Sequence, residues 1–174
     1  HVRVSRGGTR EEERVRSSQP ARAVLTGCGD DVTTLAIAGL VIWLDHHDFA
    51  TAFDLFDRAL AISNSIVAAL GISAVELAWM GRTQGASERA LRALRLSPFD
   101  TLHSFTYNAL AVAAFHEGRY ADARDAARRG VEIKPKFSVP RVLLAASLVR
   151  LGQIAEAQAE ARHVLALRAK MRTC

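Results

Sequence analysis

Apolar residues along most of the chain recur at intervals of three and four rather than two, as in Ala86, Ala90, Ala93 and Leu94, and again in Ala123, Ala127 and Val131. That spacing places them on one face of a helix, and no stretch alternates in the manner of a strand. The pattern predicts an all-α chain with helices near 32–44, 48–62, 66–80, 84–96, 101–116, 120–132, 138–150 and 154–168. Breakers separate them. Ser97-Pro98-Phe99-Asp100 and Lys134-Pro135-Lys136-Phe137-Ser138 stop one helix, because proline cannot continue it, and Asp100 or Ser138 can cap the next. Asn64 and Ser65 do the same without proline.

The helices repeat. Ala52, Ala86, Ala123 and Ala157 are separated by 34, 37 and 34 residues. The same shifts align Phe56, Ala90, Ala127 and Ala161, then Leu60, Leu94, Val131 and Leu165, then Ile62, Leu96, Ile133 and Leu167. In the first half of each unit, Leu40, Ala74, Ala111 and Ala145 align, and His47, Gly81, Gly118 and Gly152 mark a turn. The unit is therefore a helix pair, and four units stack so that each buries the face its neighbour cannot hide alone. Small columns let helix backbones approach, with larger residues such as Trp43, Leu77 and Leu148 beside them. Phe56 and Leu40 stand where later units are small, so the first unit is expected to pack with a different spacing.

Residues 1–20 mix Arg, Glu, Ser and Gly and are expected to be a disordered tail. Ala21 to Leu25 reads as the end of a preceding repeat, and residues 21–31 as that remnant and a turn, with Asp30 or Asp31 capping the next helix. The repeat domain is expected over 32–168 and a basic tail over 169–174. A length of 174 residues, 49% of them hydrophobic, suits one domain or a short repeat array. The net charge of +5 changes little, since the excess sits in residues 1–22 and 168–174 and the body between is close to neutral. No specific nucleic acid is implied. Cys28 and Cys174 lie far apart in no metal or disulfide spacing, so a reducing cytoplasm is the default. The longest uncharged apolar run, Leu35 to Leu44, is about half the length of a membrane span. With His1 first and no signal-like core in Val2 to Arg16, the chain reads as a fragment of a longer protein.

Candidate chemistry is thin. His46 and His47, flanked by Asp45 and Asp48, lie at a turn rather than at the i, i+4 spacing that brings two metal ligands together. His103, His116 and His163 fall in separate helices, and no Ser/His/Asp set can be assembled. Gly7-Gly8 and Gly27-Cys28-Gly29 lack a phosphate-loop context. The chain is read as no enzyme, with no catalytic residue, metal or cofactor. Arg89, Arg92, Arg95, Arg119, Arg124, Arg128 and Arg129 interleave with Glu88, Asp122 and Asp125, as on a solvated outer face with local ion pairs.

The columns resemble the tetratricopeptide repeat. The third unit carries Tyr107, Leu110, Ala111, Gly118, Tyr120, Ala123, Ala127 and Pro135 where that family wants aromatic, Leu, small, Gly, Tyr, Ala, apolar and Pro. The fourth follows with Leu144, Ala145, Gly152, Ile154, Ala157 and Ala161, the second with Ala74, Gly81, Ala86, Ala93 and Pro98. The first has His47 for Gly and Asn64 for Pro. The resemblance implies a right-handed superhelical solenoid of four antiparallel helix-turn-helix repeats that binds rather than catalyses. More weakly, RALRLSPFD, AAFHEGRYADARDAARRGVEIKP and VLLAASLVRLGQIAEA resemble tetratricopeptide regions that follow class III nucleotide cyclase or DNA-binding domains in bacterial signalling proteins.

If the first helices line a concave face as in that family, the lining includes Ile37, Val41, Leu44, Val75, Trp79, Phe105, Asn108, Val112, Phe115, Val142 and Val149. An apolar face of this kind meets a protein segment, other domains of the parent protein or another copy. Trp79, Phe105 and Phe115 are the expected anchors, with Asn108 fixing orientation, unless these aromatics turn inward as core. The Lys/Asn clamp with which some family members hold a C-terminal carboxylate is absent. Two readings follow: a non-catalytic interaction scaffold, or the regulatory or dimerising C-terminal region of a signalling protein such as a nucleotide cyclase or transcription regulator.

Overall fold

A computed structural model of the chain describes residues 31–43, 48–100 and 102–172. Among them the periodicity is realised as eight helices and no strand: α1 (Val32–Val41), α2 (Phe49–Ile62), α3 (Val67–Trp79), α4 (Thr83–Leu96), α5 (His103–His116), α6 (Tyr120–Ile133), α7 (Ser138–Arg150) and α8 (Ile154–Arg172). The tail at 1–20, the remnant to residue 30, and Asp45, His46 and His47 lie outside the described residues. The last helix runs four residues past 168, into the stretch expected to be a basic tail. The chain divides into two compact units, residues 1–69 and 70–174.

In the first unit both helices start on an aspartate. The carboxylate of Asp31 accepts from the Thr34 backbone N–H at 2.9 Å and that of Asp48 from the Thr51 N–H at 3.2 Å, each satisfying an orphan donor of a first turn. Leu35, Ala38, Ala52, Leu55, Phe56 and Ala59 form the core. In the first repeat the volumes of two facing columns are exchanged relative to later repeats. Phe56 is wholly buried, and its ring lies 2.8 Å from where a Cβ on Gly39 would stand. In the third and fourth repeats the same two columns hold Leu110 with Ala127 and Leu144 with Ala161, so the large residue has moved to the other helix. Either arrangement fills the gap; a large residue in both columns would overfill it.

In the second unit the glycine column makes one turn three times. Gly81, Gly118 and Gly152 have φ of 76°, 75° and 75°, a left-handed conformation that costs other residues free energy. The next N–H reaches back five residues, from Arg82 to the Leu77 carbonyl, from Arg119 to Ala114 and from Gln153 to Leu148, at 2.8–2.9 Å. This satisfies the carbonyls at the helix end. The backbone carbonyls of Arg82, Arg119 and Gln153 then start the following helix, accepting from the N–H groups of Ala86, Ala123 and Ala157.

Between repeats, the Ser97 carbonyl accepts from Asp100 N–H and the Lys134 carbonyl from Phe137 N–H, with Pro98 and Pro135 at the second position that proline favours in such turns. Asp100 does not cap α5: its carboxylate accepts the Leu102 N–H at 2.8 Å in the turn before the helix, and Leu102 at the cap position makes no side-chain cap bond. Ser138 does not cap α7 either: it is the first residue of that helix, and Phe137 at the cap position offers no side-chain acceptor. The small column has its packing purpose at Gly130, where an added Cβ would stand 3.2 Å from Pro140 Cβ. Ala59, Ala93 and Gly130 share that position, and the last repeat carries Val164. Arg128–Glu156 at 3.4 Å adds an ionic contact between the last two repeats, and the partly buried Arg141–Glu160 pair at 2.6 Å ties α7 to α8 within the fourth.

Candidate protein-binding surface

The shifts of 37 and 34 residues put the expected lining of the second unit into four columns: Ala68, Phe105 and Val139; Gly71, Asn108 and Val142; Val75, Val112 and Ala146; Ala78, Phe115 and Val149. Their exposure changes from repeat to repeat. On α3 every residue from Gly71 to Ala78 is buried, Val75 included and the polar Ser73 and Glu76 among them, so this stretch of the helix has no solvent face. On α5, Phe105, Asn108 and Val112 are buried and Phe115 is half-buried. On α7, Val142 and Val149 are 52% and 53% exposed. Trp79, one residue beyond the last column, is 56% exposed.

The eight expected binding residues thus separate. Val75, Phe105, Asn108 and Val112 lie inside; Trp79, Val142 and Val149 face solvent; Phe115 lies between. Of the three aromatics, Phe105 has turned inward and Trp79 outward. Ile37 and Val41 are exposed on α1 in the first unit, and Leu44 lies outside the described residues.

Local chemistry explains part of this. The turn after the third repeat folds Phe137 onto Phe105, ring centroids 5.1 Å apart, and sets the Lys134 ammonium 5.0 Å above the Phe105 ring. One repeat later the corresponding positions, 168–171, are still helix, so no turn comes back over Val139 and Val142. At the other end of α5, Phe115 meets Tyr120 edge-on at 5.2 Å, and the Arg150 guanidinium lies 4.6 Å over the Tyr120 ring. Arg150, beside Val149, is therefore held at the edge of the exposed surface. Ser104 and Asn108, one turn apart on α5, each keep a buried side-chain oxygen without a hydrogen-bond partner. Since Asn108 is only 2% exposed, its orienting role is not available at the surface as it stands.

The histidines do not converge. His103 is buried, its Nε2 donating to the Ser97 carbonyl and its Nδ1 within 3.3 Å of the Thr106 hydroxyl. His116 is exposed, and His163 stands 4.0 Å from the Glu160 carboxylate. Among the described residues no group of three His, Cys, Asp or Glu could hold a metal ion. Nor, among them, is any helix long and apolar enough to cross a membrane.

The outer arginines are engaged locally. Arg124 pairs with Asp125 and reaches Gln153, and Arg129 pairs with Glu132. The Arg124 hydrogen bond holds the Asp125 carboxyl below its ordinary range. Glu117 is lowered too, first by a hydrogen bond from Thr83 and then by Arg119, whose guanidinium rises in turn. The charges here fasten the helix ends.

Sequence reasoning treated Lys134 to Ser138 as a breaker only and missed that Phe137 and Lys134 cover Phe105. It missed Phe99 as well, 96% exposed at the preceding turn. An aromatic one or two residues after a turn proline was the available signal at both places.

No family model matches the chain, and no curated protein does. Solved structures do. A MamA structure described as the RS-1 ArsTM double mutant superimposes with a TM-score of 0.68 at 17% identity, covering 95% of this chain and 92% of that one. A crystal structure of MamA gives 0.67 at 18%, covering 99% and 100%. MamA from Desulfovibrio magneticus RS-1, residue 41 to the end, gives 0.63 at 19%, covering 95% and 89%. At such identities the likeness shows the fold: an all-α, tetratricopeptide-type helical-repeat solenoid. The likeness to cyclase-associated repeats gains nothing from these matches.

Proposed function

We propose that the chain is a non-catalytic protein-interaction module, and that a protein segment docks on the exposed apolar residues of its first helices, Trp79, Val142 and Val149, with Phe115 at their margin. The observation that carries this reading is the exposure of Trp79, Val142 and Val149 on a helical-repeat fold, where a half-solvated Trp and two half-solvated Val have no structural use. The MamA structures share this fold, and their likeness supports a scaffold reading over an enzymatic one.

Covering a large apolar side chain contributes roughly 1.5–3 kcal/mol. Three such contacts, less the cost of ordering a segment, correspond to a dissociation constant on the order of micromolar. Arg150 supplies the polar contact at this edge, because it is exposed and already stacked on Tyr120.

The test begins with peptides selected from a random displayed library on the wild-type chain. Their affinities are then measured against Trp79→Ala and Val149→Asp, with thermal unfolding recorded for each variant. Both variants should weaken binding at least about tenfold, equivalent to 1.4 kcal/mol, and keep the wild-type melting temperature within a few degrees. Full affinity in both variants removes this surface as the site.

A further inference from the structure

We infer that the cleft at the C-terminal end of α6 is a second docking site, for an acidic peptide segment that carries one bulky apolar side chain. Among the described residues this cleft, about 540 Å³ in volume, is lined by Ile133, Lys134, Pro135, Lys136 and Phe137. It is an open depression rather than an enclosed cavity, so a side chain can be laid into it directly from solvent. Ile133, Pro135 and Phe137 give it an apolar wall, backed by Phe105 behind Phe137.

The charge is of one sign. Lys134 and Lys136 are exposed, and neither has an ion-pair partner among the described residues; the nearby Glu132 carboxylate is engaged by Arg129 at 3.2 Å. The Lys134 ammonium lies 5.0 Å over the Phe105 ring. Two uncompensated cations at the mouth of an apolar cleft complement a carboxylate-bearing segment with a hydrophobic anchor. A plain polyanion would leave the wall unused, and no open aromatic platform is offered for bases to stack on, since Phe137 is packed against Phe105.

The cleft is preformed. Arg141 Nε donates to the Pro135 carbonyl at 3.2 Å, while Arg141 Nη1 donates to Glu160 at 2.6 Å in a pair that is mostly buried. The Phe137 N–H closes the turn on the Lys134 carbonyl at 2.9 Å. The loop is thus tied to α7 and α8, and a ligand bears little ordering cost on the protein side. The site shares no exposed residue with the Trp79 and Val149 surface, so either can fail alone.

The probe is a short fluorescein-labelled peptide of Glu and Asp residues around a single Phe in a Gly/Ser background. It is compared with a peptide carrying Lys for each acid, with one carrying Ser for the Phe, and with oligo-dT. Anisotropy titrations use the full chain, wild type, K134E/K136E, K134R/K136R and W79A. Saturable binding of the acidic Phe peptide is expected, weakened at least about tenfold in K134E/K136E, kept in K134R/K136R and W79A, and reduced by salt. Amide shifts on binding should centre on residues 133–137. The inference is overturned if the acidic Phe peptide does not bind, if charge reversal leaves its affinity unchanged, if the Ser-for-Phe peptide or oligo-dT binds as well, or if the shifts fall elsewhere. Loss of binding in W79A with full binding in wild type would assign the peptide to the other surface.

Discussion

Helices α5 and α7 occupy the same position in successive repeats and carry the same apolar stripe, yet one is core and the other is surface. Phe105, Asn108, Val112 and Phe115 on α5 correspond to Val139, Val142, Ala146 and Val149 on α7. The first three of α5 are buried, whereas Val142 and Val149 of α7 are half-exposed. Part of the difference lies outside both helices: Lys134 and Phe137 close over Phe105, and the equivalent stretch of α8 continues as helix. In a repeat protein the register tells which residues are equivalent, and the neighbours decide which of them a partner can touch.

The largest effect should come from the buried side of this pair. Phe105→Ala removes a buried ring under Phe137 and should cost about 3–5 kcal/mol. Val149→Ala should cost less than about 0.5 kcal/mol, as exposed substitutions do. Urea denaturation of the two variants gives both values; similar losses would break the distinction between the helices.

A smaller effect tests the packing between repeats. Gly130→Val installs the residue that the last repeat carries as Val164, but its Cβ would stand 3.2–3.3 Å from the Pro140 ring. The expected loss is about 1–3 kcal/mol, as for other overpacked positions. A variant as stable as the wild type would mean that the helices of the third and fourth repeats do not need a small residue there. Gly118→Ala should cost roughly 1–2 kcal/mol through its left-handed backbone alone, because nothing lies near the added Cβ. Thermal melts that leave Gly118→Ala unchanged would contradict the shared turn geometry.

The smallest effect is in the charges. Asp125 and Glu117 have their carboxyls lowered by hydrogen bonds, from Arg124 in one case and chiefly Thr83 in the other. Folding therefore favours the charged forms: this contribution is fully present above the ordinary carboxylate range and is lost as pH falls through the lowered values. The melting temperature should decline gently in acid and hold from mild acidity to neutrality. Added salt should shrink the change, since the groups are near the surface. A rise in melting temperature on acidification would reverse the assignment.

Much of the fold was legible because several columns agreed on one register, and each column has a local physical cause. Alanines at 52, 86, 123 and 157 mark buried helix contacts, and glycines at 81, 118 and 152 mark a positive φ. The site was legible only as a set of faces. Periodicity places Asn108 and Val142 on equivalent faces, but it carries no information on a turn that folds back, so it could not tell a buried Asn108 from an exposed Val142. Ser138 failed as a cap for a related reason, since one residue of slippage at a helix start exchanges a cap for a first-turn position.

The central claim is that the open stripe of α7, with Trp79, receives a protein segment while the equivalent stripe of α5 serves as core. Hydrogen exchange read by mass spectrometry, with and without a peptide selected on the wild-type chain, tests it most directly. The account predicts slower exchange in the segments containing Trp79 and residues 142–150, with the outer face of α6 around Arg124 and Arg128 unchanged. Protection confined to that outer face, with residues 142–150 exchanging as in the free chain, would contradict it.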